Sequence, residues 1–250
     1  MYEFFSGLLA DKKGGVVLTC FGVWHLIYLA VIFGAILLTV CLLKRKGDAA
    51  KHRAVNAAIV LAFGLYIADF FLMPFAYGEI DIEKLPFHAC TAMCVMCFLS
   101  QRNKFLSKYK SQFALLGFIS NLVYVIYPAG VGWYAVHPLS YRVWQTLLFH
   151  GAMTAYGIFV IVFGEIKLDP KDHGKNLLTI VAMTLWALLG NTLYNGERFY
   201  NWFFVVRDPF YILPENIAPF VMPFLTTAVF FAAEMIVYLI CFGIKRIKSK

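Results

Sequence analysis

Val16–Leu43, VVLTCFGVWHLIYLAVIFGAILLTVCLL, contains no Asp, Glu, Lys or Arg over its whole length. At 1.5 Å of rise per residue such a run is long enough to cross a hydrocarbon layer about 30 Å thick. No basic stretch followed by a short apolar core precedes it, so it is expected to be a retained span and not a cleaved leader. Comparable apolar runs follow at about Val55–Tyr77, Leu85–Ser100, Gln112–Tyr127, Val143–Gly164, Asn176–Tyr194 and Ala218–Gly243. With 61% hydrophobic residues, 14% charged residues and a mean hydropathy of +0.73, the chain is outside the soluble globular range. These runs predict an all-α, polytopic membrane protein: one seven-helix domain over residues 1–250, with no room for a separate soluble unit.

The formal net charge of +8 does not point to nucleic acid, because the basic residues cluster at span ends. Of the 22 Lys and Arg residues, 16 fall in the first, third and fifth loops and the C-terminal tail. Excess Lys and Arg marks the cytosolic side, which predicts an external N-terminus and a cytosolic C-terminus. Glu79, Asp81 and Glu83 lie together on the opposite side. All six cysteines sit in apolar segments, so they define no disulfide framework.

Leu85–Ser100, LPFHACTAMCVMCFLS, is the chemically richest stretch. Pro86 suits the first turn of a helix, which would place His88 and Cys90 in its first turns. A thiol there feels the positive end of the helix dipole, and a nearby imidazole could accept its proton. Cys90, Cys94 and Cys97 also recur at i, i+4 and i+7, as a stripe that merely packs would do.

The predicted orientation converts position into depth. His25 would lie about 14 Å inside the first helix. Asp69, His88, Cys90, Asn121, His150, Asn191 and Asn195 fall in the same outer half. Ionisable and polar groups in spans are costly and tend to face a bundle interior or cavity, so one outward-facing polar pocket is expected. Taken singly, His25 or His150 could equally be an interhelical hydrogen-bond partner, and Asp69 could simply pair with a neighbour. Glu234 has no evident partner and receives no role. The aromatic residues of the outer loops read as an interfacial belt. A faint echo pairs Trp24-His25 with Phe149-His150, and Leu85-Pro86-Phe87 with Ala218-Pro219-Phe220. It is compatible with a transporter-like duplication or with chance among repetitive apolar helices.

Leu85-Pro86-Phe87-His88-Ala89-Cys90, together with Trp24-His25-Leu26, Phe149-His150-Gly151, Leu188-Leu189-Gly190-Asn191 and Tyr200-Asn201-Trp202, resembles the YwaF/TMEM164 family of multi-span membrane proteins. The resemblance covers most of the chain, and the Leu-Pro-x-His-x-Cys piece is its most specific part. It implies a seven-helix bundle and, for the animal branch, a cysteine-dependent acyltransferase acting on phospholipids with a histidine assisting. Carried onto this sequence, Cys90 would be the nucleophile and His150 its base. His88 and His25 would line the substrate pocket, to which the depth reading adds Asp69, Asn121, Asn191 and Asn195. The Tyr194–Phe210 region departs from the family's asparagine-tyrosine-methionine run.

Three functions follow as expectations: acyl transfer between membrane lipids without a cofactor, a transporter or ligand-sensing protein without catalysis, and a zinc-dependent lipid hydrolase. For the last, His25, His88, His150 and Asp69 supply ligand types but no dense metal-binding spacing. The expected setting is a bacterial plasma membrane, with lipids as partners and no nucleic acid.

Overall fold

The structure is a computed structural model that describes residues 15–77, 82–128, 136–194 and 200–248. Seven helices of ten residues or more occur among them: α1 Val23–Leu43, α2 Asp48–Tyr77, α3 Ala89–Ser100, α4 Lys110–Ile126, α5 Tyr141–Val162, α6 His173–Leu193 and α7 Ala218–Lys248. Five of these, α1, α2, α5, α6 and α7, contain segments long and apolar enough to cross a membrane. α3 has 12 residues and α4 has 17.

Three helix starts differ by four residues or more from the sequence-based expectation. α1 begins at Val23 and not at Val16, because Gly22 is extended and Phe21 has a left-handed φ of 59°. His25 is therefore the third residue of the helix, about 3 Å from its start and not about 14 Å down. α2 begins at Asp48, so part of the basic turn is helical, with an acidic residue at the positive end of the helix dipole. α3 begins at Ala89, and Pro86 lies before the helix in a turn, with His88 as an extended N-cap. Pro219, by contrast, lies in the first turn of α7, so the two Pro-Phe segments of the sequence echo hold different structural positions.

α5 is the central helix, packed chiefly against α2 and α4, while α3 packs on α4 and α2. Close approach is built into α5 at Gly157, where a Cβ would stand 2.5 Å from the Phe118 side chain. α6 and α7 pair with each other and contact α4. α1 and α7 remain the least covered of the candidate spans, exposing residues such as Leu38, Leu42, Phe224 and Leu239. Apolar surface on that scale requires an apolar solvent.

Hydrogen bonds sort the helix ends into two sets. At one end Glu165, just beyond α5, accepts from His52 of α2 at 2.8 Å and from Lys110 of α4. Lys110 also donates to Gln101 at the end of α3, and Gln101 donates to the buried Tyr156 hydroxyl at 3.0 Å. A surface cavity of about 290 Å³ lined by Asp48, Lys51, His52 and Glu165 opens beside this network. At the other end lie the end of α2, the lead-in to α3, the end of α4, the start of α5 and the end of α6, and these carry the residues singled out for chemistry.

Candidate functional site

The lead-in to α3 is held in place before any chemistry is considered. Phe87 packs its ring against Trp186 and Trp202, each at 5.0 Å between centroids. It also fills the space beside Gly190, where a Cβ would fall 2.4 Å from the ring. The Trp186 indole donates to the Pro86 carbonyl at 2.7 Å, and the Trp202 indole donates to the Glu83 carbonyl at 3.1 Å. Trp202 and Phe203 are buried, so they form a plug and not part of an interfacial belt. Phe210, Tyr211 and Ile212 further along the same loop are exposed.

Asn191 clips that plug to α6. Its amide nitrogen donates to the Ala187 and Trp202 carbonyls, and its oxygen accepts from the Trp202 amide. His25 is likewise spent on the backbone. Its Nδ1 accepts from the Phe21 amide at 2.9 Å, so Nε2 carries the hydrogen donated to the Val125 carbonyl at 3.0 Å. Both residues join elements and leave no free polar group for a ligand. Asn195 lies outside the described residues, as do Glu79 and Asp81 of the acidic loop.

Asp69 is buried, with Oδ2 3.2 Å from the Lys84 ammonium and Oδ1 accepting from the Tyr141 hydroxyl at 2.9 Å. This ties α2 to the α3 lead-in and to the first residue of α5. Tyr66 reinforces the same corner by donating to the Lys84 carbonyl at 3.1 Å. The Lys84 charge is within electrostatic reach of His88, Cys90 and His150. Sequence reasoning did not single out Lys84, which was one outer-side lysine among several basic residues.

Cys90 is the second residue of α3 and is half-buried, whereas Cys94 and Cys97 are fully buried. Its sulfur faces the first-turn amides of Cys90 and Thr91, which lack partners within the helix. Before it, the His88 carbonyl accepts from the Ala92 amide at 2.9 Å and from the Thr91 hydroxyl at 3.1 Å.

The hydrogen bonds set opposite tautomers on two histidines. The Asn121 amide nitrogen donates to the Gly117 carbonyl at 2.7 Å, which turns its oxygen toward His150. His150 Nδ1, at 2.7 Å, must then be the donor, and neutral imidazole keeps a bare Nε2. The ring is stacked on Tyr124 at 3.9 Å and meets Phe149 edge-on. His88 is the converse case: its Nδ1 accepts from the Phe203 amide at 3.2 Å, which puts the hydrogen on Nε2. Phe203 presents that amide from a left-handed φ of 56°, a conformation that is uncommon for a bulky side chain. Neither Nε2 has a hydrogen-bond partner among the described residues. The two imidazoles are within electrostatic reach of each other, so the corner offers one free acceptor and one free donor. No group of three or more His, Cys, Asp or Glu side chains is placed to hold a metal ion among the described residues.

The helical architecture of the described residues, with five membrane-length apolar helices and a polar cluster among them, defines a polytopic integral membrane protein. The family model described as the TMEM164 family matches residues 20–243, and the chain belongs to that family. No curated protein and no solved structure matches the chain.

Proposed function

We propose that this protein is a seven-span membrane acyltransferase that moves an acyl chain between lipids through a thioester on Cys90. The hydrogen bond from His150 to Asn121 is the observation that carries the reading, because it leaves His150 Nε2 as a fixed proton acceptor. In the first half-reaction His150 Nε2 takes the Cys90 thiol proton, and the thiolate attacks the ester carbonyl of a donor lipid. The ester C–O bond breaks, and His150 returns the proton to the departing lysolipid oxygen. In the second half-reaction an acceptor hydroxyl gives its proton to His150 and attacks the thioester; the C–S bond breaks and the thiolate regains its proton. No oxidant or reductant is required. His88 Nε2–H supplies the donor for the oxygen on which negative charge develops, with the α3 first-turn amides beside it.

The proposed setting is a single seven-helix domain in a bacterial plasma membrane, with α3 and α4 completing the bundle. The basic bias of 16 among 22 Lys and Arg supports an external N-terminus. The Asp69–Lys84 corner and Cys90 then face a lipid headgroup region on the outer side.

The test is labelling of the membrane-embedded protein with an acyl-chain electrophile. Labelling and transacylation should be abolished in Cys90→Ser, slowed in His150→Ala and retained in Cys94→Ala. Full transacylation by Cys90→Ala removes the cysteine mechanism and leaves a pocket suited to transport or sensing.

A further inference from the structure

Glu234 stands apart from that site, on the opposite side of the bundle. It is 16 residues below the start of α7, about 24 Å along the helix, and is fully buried. Neither carboxyl oxygen has a hydrogen-bond partner among the described residues. The polar groups around it are committed elsewhere or form no hydrogen bond of good geometry with it. On α6, Asn176 gives one amide hydrogen to the Tyr238 hydroxyl at 3.1 Å, and its buried Oδ1 is unpartnered. The Asn176 amide nitrogen is a donor beside the Glu234 carboxyl, but no hydrogen bond of good geometry joins the two. His173, one turn earlier on α6, packs edge-on to Tyr238 at 4.6 Å, and its buried Nδ1 is also unpartnered.

A carboxylate at membrane depth with no cation and no well-formed hydrogen bond is costly, and so is an orphaned amide oxygen. One hydrogen placed between them relieves both. We infer that the α6–α7 interface is a proton-binding site in which Glu234 carries a proton and donates it to Asn176 Oδ1, while Asn176 Nδ2–H continues the chain to Tyr238. The step forms one O–H bond on the carboxylate, and the hydrogen ion comes from water at the helix end. His173 is half-buried at that end, beside Tyr238, and marks the way in.

The titratable neighbours are few. α6 contributes His173, with Asp172 and Lys175 paired to each other at its start. α7 contributes Tyr238. α4 contributes Lys110, which is engaged by Glu165 at its own helix start. The Trp202–Phe204 turn, which also packs on α7, contributes none.

Infrared difference spectroscopy between the wild type and Glu234→Gln, both in lipid nanodiscs at neutral pH, tests the inference. The wild type should show a carboxylic-acid C=O stretch that is absent from Glu234→Gln and shifts in D₂O, and Asn176→Ala should move that band toward the position of an unbonded acid. Glu234→Gln should also keep the wild-type thermal midpoint, since an amide reproduces the protonated carboxyl. The inference is overturned if the difference spectrum shows carboxylate bands, or if Asn176→Ala leaves an acid band unmoved. It is equally overturned if sodium but not choline raises the wild-type midpoint and Glu234→Gln loses that response, because the site then holds an alkali cation on a charged carboxylate. Asn176→Ala keeps the question open to measurement even where Glu234→Gln fails to fold.

Discussion

His150 Nδ1 lies 2.7 Å from Asn121 Oδ1, and that distance fixes which nitrogen of the imidazole carries hydrogen. Asn121 can play this part because its own amide hydrogens are committed to the Gly117 carbonyl one turn earlier on α4. A helix-internal bond thus sets the tautomer of a histidine on the neighbouring helix, and with it the direction in which a proton can move.

Asn121→Ala removes that constraint without touching Cys90. A general base contributes about 10²–10⁴ in rate, and loss of its orientation should forfeit about tenfold to a hundredfold of transacylation. Stability should fall by about 1–3 kcal/mol, because the buried His150 Nδ1–H loses its acceptor. Asn121→Asp keeps the acceptor and should retain more activity than Asn121→Ala. Equal rates in all three proteins, measured on folded material in nanodiscs, would show that the bond is only structural.

Lys84 and Asp69 should respond unequally. The Asp69 side chain is 4% exposed and the Lys84 side chain is 30% exposed. Lys84→Met strands a buried carboxylate with only the Tyr141 hydroxyl, and should cost about 3 kcal/mol. Asp69→Asn keeps an acceptor for Tyr141 and leaves an ammonium that can reach water, so about 1 kcal/mol is expected. Thermal unfolding in detergent gives the order, and a larger loss in Asp69→Asn would contradict this reading of the pair.

The loop before α7 should be acid-sensitive through Asp208. Its carboxylate accepts from the Phe210, Ile212 and Leu213 amides at 2.7–2.8 Å, and these bonds hold its pKa below the usual carboxylate range. A depressed folded value means the contribution is complete above the ordinary carboxyl range and is lost as pH falls through that range to the folded value. Limited proteolysis of the loop should accelerate on acidification in the wild type. Asp208→Ala should be cleaved rapidly at neutral pH and show little further change. The same acid profile in both proteins would exclude Asp208 as the latch.

The helices were legible because apolar runs of membrane length leave few alternatives, and all seven predicted runs contain a helix. Boundaries were legible only where a residue signals them. Phe21 turns the chain with a left-handed backbone that no glycine announces, so the start of α1 was set too early and His25 too deep. Pro86 signals a first turn equally well as a preceding loop, and here it is the loop. Of the site, the residue types were visible but their partners were not. Asn121 and His150 are 29 positions apart on different helices, and the hydrogen that sets the His88 tautomer comes from the Phe203 backbone, which has no side-chain signature. Asn191 and His25 looked like ligand groups for the same reason, since nothing in a sequence shows that a polar side chain is occupied by backbone.

Orientation has its own test. Single cysteines introduced at Glu215, Lys46 and Lys171 all fall at exposed positions. On intact cells an impermeant maleimide should modify the residue at 215 and spare those at 46 and 171, above the background of the native thiols. The reverse pattern would place Cys90 on the cytosolic side of the membrane.

The acyl-enzyme itself is the most direct measurement. Intact-protein mass spectrometry after incubation with a phospholipid donor and no acceptor should show one added acyl chain, mapped to Cys90 and removed by neutral hydroxylamine. The adduct should be absent in Cys90→Ser and should form more slowly in His150→Ala, because a base changes the rate at which the thiolate becomes available. An unmodified mass after prolonged incubation with lipid that the protein demonstrably binds, or an adduct that maps to Cys94 or Cys97, would contradict the thioester account.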